Sequence, residues 1–282
     1  MDHTNIIADS GSTKTDWMVV RGETVIRSVS TKGMNPYFQS YDEIRDEIER
    51  VLMPEIKDLP VDTVYFYGAG CVFGKAGTMW RALSSCMPFP EIHVYSDLLA
   101  AAHSTCGHKA GIACIIGTGS NSCFYDGHEI VKNIPPLGFI LGDEGSGAML
   151  GRMLVGDVLK GIISKPLQDA FFERFRMTQA DILDQVYQKP FPNRFLASLS
   201  PFLHDHSDEP EIRRIIAGGF HSFLTRNVMQ YDYEEYPVNF VGSIARHYEA
   251  ILRETAAAIG LRTGEIAESP AKGLIGYYNN AR

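Results

Sequence analysis

At 282 residues, 45% of them hydrophobic and with no low-complexity stretch, the chain has material for about two globular domains. A net charge of −8, with no local block of lysines and arginines to reverse it, argues against a nucleic-acid binder. The five cysteines are scattered, odd in number and never spaced C-x-x-C, so they read as small buried residues of a reducing compartment rather than disulfides or a metal site. No apolar stretch approaches the ~18 residues of a membrane span. Residues 1–5 lack the basic and apolar parts of a signal peptide, and a cytoplasmic protein is expected.

Taken in chain order, Ile6-Ile7-Ala8 is an apolar run that ends on Asp9. Small and hydroxyl residues follow, Ser10-Gly11-Ser12-Thr13, then Lys14, Thr15 and a second apolar run from Trp17 to Val20. Small residues let backbone N–H groups approach an anion, and hydroxyls and a lysine add donors, so Ser10 to Thr15 suit a phosphate cradle. Asp9, at a strand end, suits Mg²⁺, a hard cation that takes oxygen ligands. The G-x-x-x-x-G-K-[ST] spacing is absent, and the turn leads into a strand and the hairpin Arg21-Gly22 rather than into a helix. The same residues equally suit a long hairpin turn with no ligand.

Residues 23–30 alternate as a third strand, and Asn35-Pro36 marks a turn. Ile44, Ile48, Val51 and Leu52 lie on one helix face. Val61 to Tyr67 reads as a strand that stops at Gly68-Ala69-Gly70. A helix over 77–87, a strand over 92–96 and an alanine-rich helix from Asp97 to about Cys106 complete the order βββαβαβα. The order then restarts: a strand over 112–116, the turn Gly117-Thr118-Gly119-Ser120-Asn121-Ser122, a strand, the turn Asp126-Gly127 and a strand over 129–133. A helix over 146–163, an inserted helical region over 165–232, a strand over 238–241 entering a helix at Gly242-Ser243, a strand near 264–267 and a helix from Ser269-Pro270 follow. Two such α/β halves are expected to form one cleft, each contributing its first hairpin turn, with a nucleotide's phosphates held between them.

These motifs resemble the N-acetylglucosamine kinase family, in the BadF/BcrA-type ATPase group of the actin-like sugar-kinase superfamily. The resemblance covers nearly the whole chain. It rests on Asp9 to Thr15, on Gly117-Thr118-Gly119-Ser120-Asn121 and on Val241-Gly242-Ser243-Ile244, which match the two phosphate motifs and the adenosine motif. Its most discriminating part is the run Leu137 to Gly147, which contains Gly142-Asp143-Glu144-Gly145-Ser146-Gly147 and looks like the amino-sugar kinases. The resemblance implies two ribonuclease H-like (actin-like ATPase) α/β domains of duplicated βββαβαβα topology, over 1–107 and 108–282, with the helical insertion at about 165–232 in the second. The last helix is expected to pack back on the first domain.

The activity implied is ATP-dependent phosphorylation of an amino sugar, N-acetylglucosamine to its 6-phosphate first, with ATP and Mg²⁺ as cofactors. Asp97 is then the catalytic base, though an aspartate at a helix start also suits an N-cap. Asp9 is the metal residue. Ser10, Gly11, Ser12, Thr13, Lys14, Thr15, Gly117, Thr118, Gly119, Ser120, Gly242 and Ser243 are the ATP-binding set. Asn35, Thr118, Gly138 and Asp143 are the sugar contacts, and Glu144 is left unassigned beside them. Two departures bear on which sugar is taken: Leu137 stands where animal kinases carry a tryptophan, and Gly68-Ala69-Gly70 replaces a serine-bearing loop.

Two other functions fit the motifs. An ATPase activator of a 2-hydroxyacyl-CoA dehydratase would need cluster cysteines, and no cysteine precedes an Ala-Gly-Thr-Gly run here. A non-catalytic sugar- or nucleotide-sensing regulator would need no base, yet Asp97 is present. The 204–206 His-x-His pair and the stretch Tyr231 to Tyr236 are both expected to be exposed loop. The insert either offers a surface to a second copy, making a homodimer, or adds buried core. No membrane partner is expected.

Overall fold

The computed structural model describes residues 3–11, 13–72, 74–87 and 90–279. The chain divides into two units, one of Met1–Lys109, Gly127–Glu129 and Pro270–Arg282, the other of Ala110–Asp126 and Ile130–Ser269.

In the first unit, β1 (Thr4–Ser10), β2 (Lys14–Arg21), β3 (Thr24–Lys32), β4 (Thr63–Gly68) and β5 (Glu91–Ser96) form one sheet in the order β3-β2-β1-β4-β5. The two hairpins pair antiparallel, whereas β1–β4 and β4–β5 pair parallel through helical crossovers. Both faces of the central strands are covered, which is why β1 reads as a continuous apolar run. Ile6, Ala8, Trp17, Val19, Val64 and Phe66 face one core with Ile44, Ile48, Met79 and Leu83. Ile7, Met18, Val20 and Tyr67 face the other with Ala100 and Leu274. The helix over 41–56 contains a π turn at Ile48–Leu52, the wider winding that admits one extra residue.

The second unit repeats the plan with β6 (Gly111–Ile116), β7 (Ser120–Tyr125), β8 (Ile130–Ile134), β9 (Val238–Val241) and β10 (Thr263–Ala267) in the order β10-β9-β6-β7-β8. Read from the other edge this is the same arrangement, and the expected duplicated α/β fold is present. Ile112, Cys114 and Ile116 alternate onto a core shared with Leu150, Leu154, Phe171, Phe202, Phe220 and Phe223, so the helices between β8 and β9 bury much of their apolar surface within this unit.

The last helix, Ala271–Asn279, belongs to the first unit. There it crosses the helix Asp97–Cys106 so closely that a Cβ at Gly273 would lie 2.2 Å from the Ser104 carbonyl oxygen. The Tyr67 hydroxyl joins these elements, 2.8 Å from His103 Nδ1 and 2.6 Å from the Tyr278 hydroxyl. Among the described residues no helix is long and apolar enough to cross a membrane. All five cysteines are thiols, and Cys71, Cys114 and Cys123 are buried.

Two local expectations are corrected. Tyr231 is not in an exposed loop: it is buried, with its hydroxyl 2.9 Å from Ser122 Oγ and accepting from the Ile134 N–H. A tyrosine hydroxyl that satisfies a sheet edge gains both burial and hydrogen bonds, which its acidic neighbours conceal in the sequence. The His204–His206 stretch is the end of a helix, Ser200–Asp205, rather than a loop. His206 stacks on Phe202 there, with ring centroids 4.2 Å apart.

Candidate active site

In the first unit, β1, β4 and β5 are parallel and end together. The register pairs Ser10 with Gly68 and Gly68 with Ser96, so the three strand ends form one row. Asp9 sits one residue inside this row and Asp97 one residue beyond it. In open α/β sheets this edge, past the carboxyl ends of the strands, is where ligands bind.

Ser96, not Asp97, caps the helix: its backbone is extended and its Oγ accepts from the Leu99 N–H at 3.2 Å. Asp97 therefore occupies the first helical position, and its Oδ1 accepts from the Leu98 N–H at 2.9 Å. Burial pushes its pKa above the ordinary carboxylate value, opposed by the Leu98 N–H and its own backbone N–H. Asp9 is pushed up to about 7, first by burial and then by the nearby charges of Asp97 and Asp16, with Lys14 opposing. Lys14 itself pairs with Asp16 at 2.6 Å. Asp97 also helps burial raise the Cys71 thiol to about 12, keeping that neighbour uncharged.

Two hydroxyls of the first turn, those of Ser10 and Thr15, serve its own structure. Ser10 is fully buried, with its Oγ 2.7 Å from Thr15 Oγ1 and accepting from the Met34 N–H at 3.0 Å. Thr15 is also buried and donates to the Lys32 carbonyl. The turn is closed by Gly11 N–H to the Lys14 carbonyl and Gly33 N–H to the Thr13 carbonyl, both 3.0 Å. Ser12 lies outside the described residues. Asn35 uses its Oδ1 to accept from the Tyr37 N–H at 2.9 Å, which leaves its amide NH₂ for other partners. A Cβ at Gly70, whose φ is +78°, would come within 2.3 Å of that Oδ1, so only glycine fits against Asn35.

The second unit assembles its own constellation around the turn Gly117–Ser120. The N–H groups of Gly147 and Ala148 donate to the Gly117 and Thr118 carbonyls at 2.8 and 3.1 Å. From another direction, Asp143 Oδ1 accepts from the Ser120 N–H at 3.2 Å. Asp143 has a left-handed backbone, φ +52°, which a non-glycine residue holds only where its surroundings impose it. Burial raises its pKa to about 6, with the Ser120 N–H opposing and Glu144 adding. Gly138 begins the short helix Gly138–Leu141, beside the exposed Leu137, Ile140 and Leu141. Gly242, at φ +127°, would bring a Cβ to 2.3 Å from the Ile116 carbonyl oxygen, so the chain leaving β9 runs tight against the end of its parallel neighbour β6. Ser243 starts the helix that follows.

Asp9, Ser10, Gly11, Thr13, Lys14, Thr15, Asn35 and Asp97 are thus in one unit, and Gly117, Thr118, Gly119, Ser120, Gly138, Asp143, Gly242 and Ser243 in the other. Glu144 has no role legible in the sequence. It pairs with Arg226 Nε at 2.7 Å, a residue far along the chain that no local pattern signals.

Among the described residues no group of three or more His, Cys, Asp or Glu side chains could hold a metal by itself. The donors nonetheless fit Mg²⁺, which typically takes one or two carboxylates and completes its shell with water and phosphate. Asp9, crowded by two further acids and answered by one exposed lysine, is a carboxylate that a cation would relieve.

Paired five-stranded sheets in this order, each with a turn between its first two strands, define a two-domain actin-like ATPase fold of the kind sugar kinases share. No family model matches the chain, and no curated protein matches it in sequence. Among solved structures, a Porphyromonas gingivalis protein named a "putative N-acetylglucosamine kinase" is 45% identical, covers 98% of each chain and superposes with a TM-score of 0.96. A Chromobacterium violaceum protein with the same designation is 17% identical over 98% of this chain and 99% of its own, with a TM-score of 0.77. An ethanolamine utilization protein from Carboxydothermus hydrogenoformans is 13% identical over 98% of this chain and 89% of its own, with a TM-score of 0.58. The last two share the fold alone, and a fold hosts many functions. The first shows the family: the chain belongs to the N-acetylglucosamine kinase family of the actin-like ATPase superfamily.

Proposed function

We propose that this protein is an ATP-dependent kinase that phosphorylates an amino sugar, N-acetylglucosamine foremost, at its 6-hydroxyl. The observation that carries the proposal is the pair Asp9 and Asp97, two carboxylates with raised pKa values at the carboxyl ends of β1 and β5, in a chain of this family. Phosphoryl transfer asks a protein mainly for positioning and charge neutralisation, plus one group to accept the alcohol's proton. Asp97 is that group. Its upward shift makes it a better proton acceptor than an ordinary carboxylate once it is ionised.

Asp9 would hold Mg²⁺, whose charge supports the developing negative charge on the phosphates when bound. The turn residues Ser10 to Thr15 and Gly117 to Ser120 would hold the phosphates, although the Ser10 and Thr15 hydroxyls and the Gly11, Gly117 and Ser120 N–H groups are engaged within the protein. Gly242 and Ser243 take the adenosine. Asn35, Thr118, Gly138 and Asp143 contact the sugar, with the free amide of Asn35 as donor and the Asp143 carboxylate as acceptor for sugar hydroxyls.

The test is a coupled ADP-release assay over N-acetylglucosamine, glucosamine, N-acetylmuramic acid and glucose, with phosphorus NMR of the product to fix the position phosphorylated. Asp97→Asn should lower kcat by about 10²–10⁴-fold, the range for loss of a general base. Wild-type turnover by the variant, or no ADP release with any amino sugar, would overturn the proposal.

A further inference from the structure

The geometry points to Glu144 as a positioning residue for sugar recognition: clamped by Arg226 and Asn227, it holds Asp143 in its left-handed conformation against the Gly117–Ser120 turn. This rests on the proposal above that Asp143 contacts the sugar. Glu144 Oε1 accepts from Arg226 Nε at 2.7 Å and Oε2 from Asn227 Nδ2 at 3.3 Å. Both partners stand at the carboxyl end of the helix Pro210–Arg226, and Asn227 is its C-cap. The Glu144 side chain is only 12% exposed, whereas that of Arg226 is 66% exposed.

A carboxylate is a poor choice for a merely structural tie at that place. Helix carboxyl ends carry partial negative charge, so an acid there is disfavoured unless a cation answers it. Glu144 is also adjacent to Asp143, and like charges repel. A neutral amide would tie the loop to the helix without either cost. What the carboxylate adds is direction: both of its oxygens accept, one from Arg226 Nε and the other from Asn227 Nδ2, whereas an amide has a single acceptor oxygen to offer them.

The rest of the loop shows what that direction controls. Asp143 N–H donates to the Pro136 carbonyl at 2.9 Å, and its own carbonyl accepts from the Ser146 N–H at 3.1 Å. Gly145, at φ +71°, lies flush on the helix, where a Cβ would meet Phe223 Cβ at 3.1 Å and the Gly219 carbonyl at 3.3 Å. Between these anchors Asp143 is strained, and Glu144 is the side chain that fixes the loop's rotation about the helix end. If the clamp is released, the Asp143 backbone can relax to negative φ, which would swing its carboxylate away from Ser120 N–H and from the sugar.

The experiment compares Glu144→Gln, Arg226→Gln and the double variant in the full-length protein, measuring KM for sugar, KM for ATP and the ligand-free melting temperature. Each single variant should raise the sugar KM about tenfold or more while the ATP KM stays within about twofold, the split expected when one substrate's binding is lost. The double variant should be no worse than the more severe single one, because the two residues act as one unit. Arg226→Lys, which keeps the charge and one donor for Oε1, should recover part of the loss. Unchanged sugar KM in both single variants of an active enzyme, or a falling melting temperature with unchanged KM, would overturn this inference alone. A wild type that releases no ADP with any amino sugar would overturn the kinase proposal, and this inference with it.

Discussion

Replacing Asp9 by Asn should make the ligand-free protein more stable at alkaline pH while removing its response to Mg²⁺. Burial and the neighbouring Asp97 and Asp16 lift Asp9 from 3.8 to about 7. A raised acid favours the folded state only while protonated: its contribution is whole below 3.8, declines as pH rises and is lost above about 7. At pH 8 the ionised carboxylate therefore opposes folding. Roughly three pH units correspond to a ceiling of ~4 kcal/mol at 1.36 kcal/mol per unit. Reorientation of the side chain toward solvent reduces this, and a gain of ~1–2 kcal/mol, about 2–8 °C in melting temperature, is expected for the Asn variant. Thermal melts of both proteins without ligand at pH 8 and pH 5 measure it. The gap should be wide at pH 8 and narrow at pH 5, and Mg²⁺ with ADP should raise the melting temperature of wild type far more than that of the variant. An Asn variant that melts at or below the wild type at pH 8 would refute the reasoning, because Asp9 would then be compensated in the unliganded protein.

Because Asp97 acts ionised and burial raises its pKa, the low-pH limb of the kcat/KM profile should inflect above the 3.8 of an ordinary aspartate, with activity rising as pH increases through it. A profile flat down to pH ~4 would contradict the assignment of the base. Gly242→Ala would place a Cβ 2.3 Å from the Ile116 carbonyl at a φ of +127°, so a loss of ~2–4 kcal/mol is expected in chemical denaturation. A variant as stable as wild type would show that the β6 and β9 ends can separate without cost.

Local chemistry carried much of the fold. Alternating or continuous apolar runs, glycine and Asn-Pro turns and the restart of the strand order at residue 112 made both sheets legible, because side-chain period and turn residues are properties of neighbours in sequence. Asp9 and Asp97 were legible for the same reason: each closes an apolar strand run, and strand ends are where α/β proteins expose functional groups. What an acid at such a place does was not legible. The residues alone favoured a cap at Asp97, and only the family resemblance made it a base; in the structure the Ser96 backbone and hydroxyl hold the cap.

The remaining decisions are tertiary. Whether a turn hydroxyl faces ligand or protein depends on what lies behind it, and for Ser10 that is the Met34 backbone, 24 residues on. Tyr231 looks like part of an acidic loop until Ser122 and Ile134 are placed beside it. Glu144 acquires meaning only when the helix carrying Arg226 arrives 82 residues later. Tyr67, His103 and Tyr278 meet because the last helix returns to the first sheet. Composition and periodicity decide which faces must be buried; which distant polar groups then satisfy one another is set by chain packing, since a buried donor or acceptor is paid for only by a partner that the fold itself brings into reach.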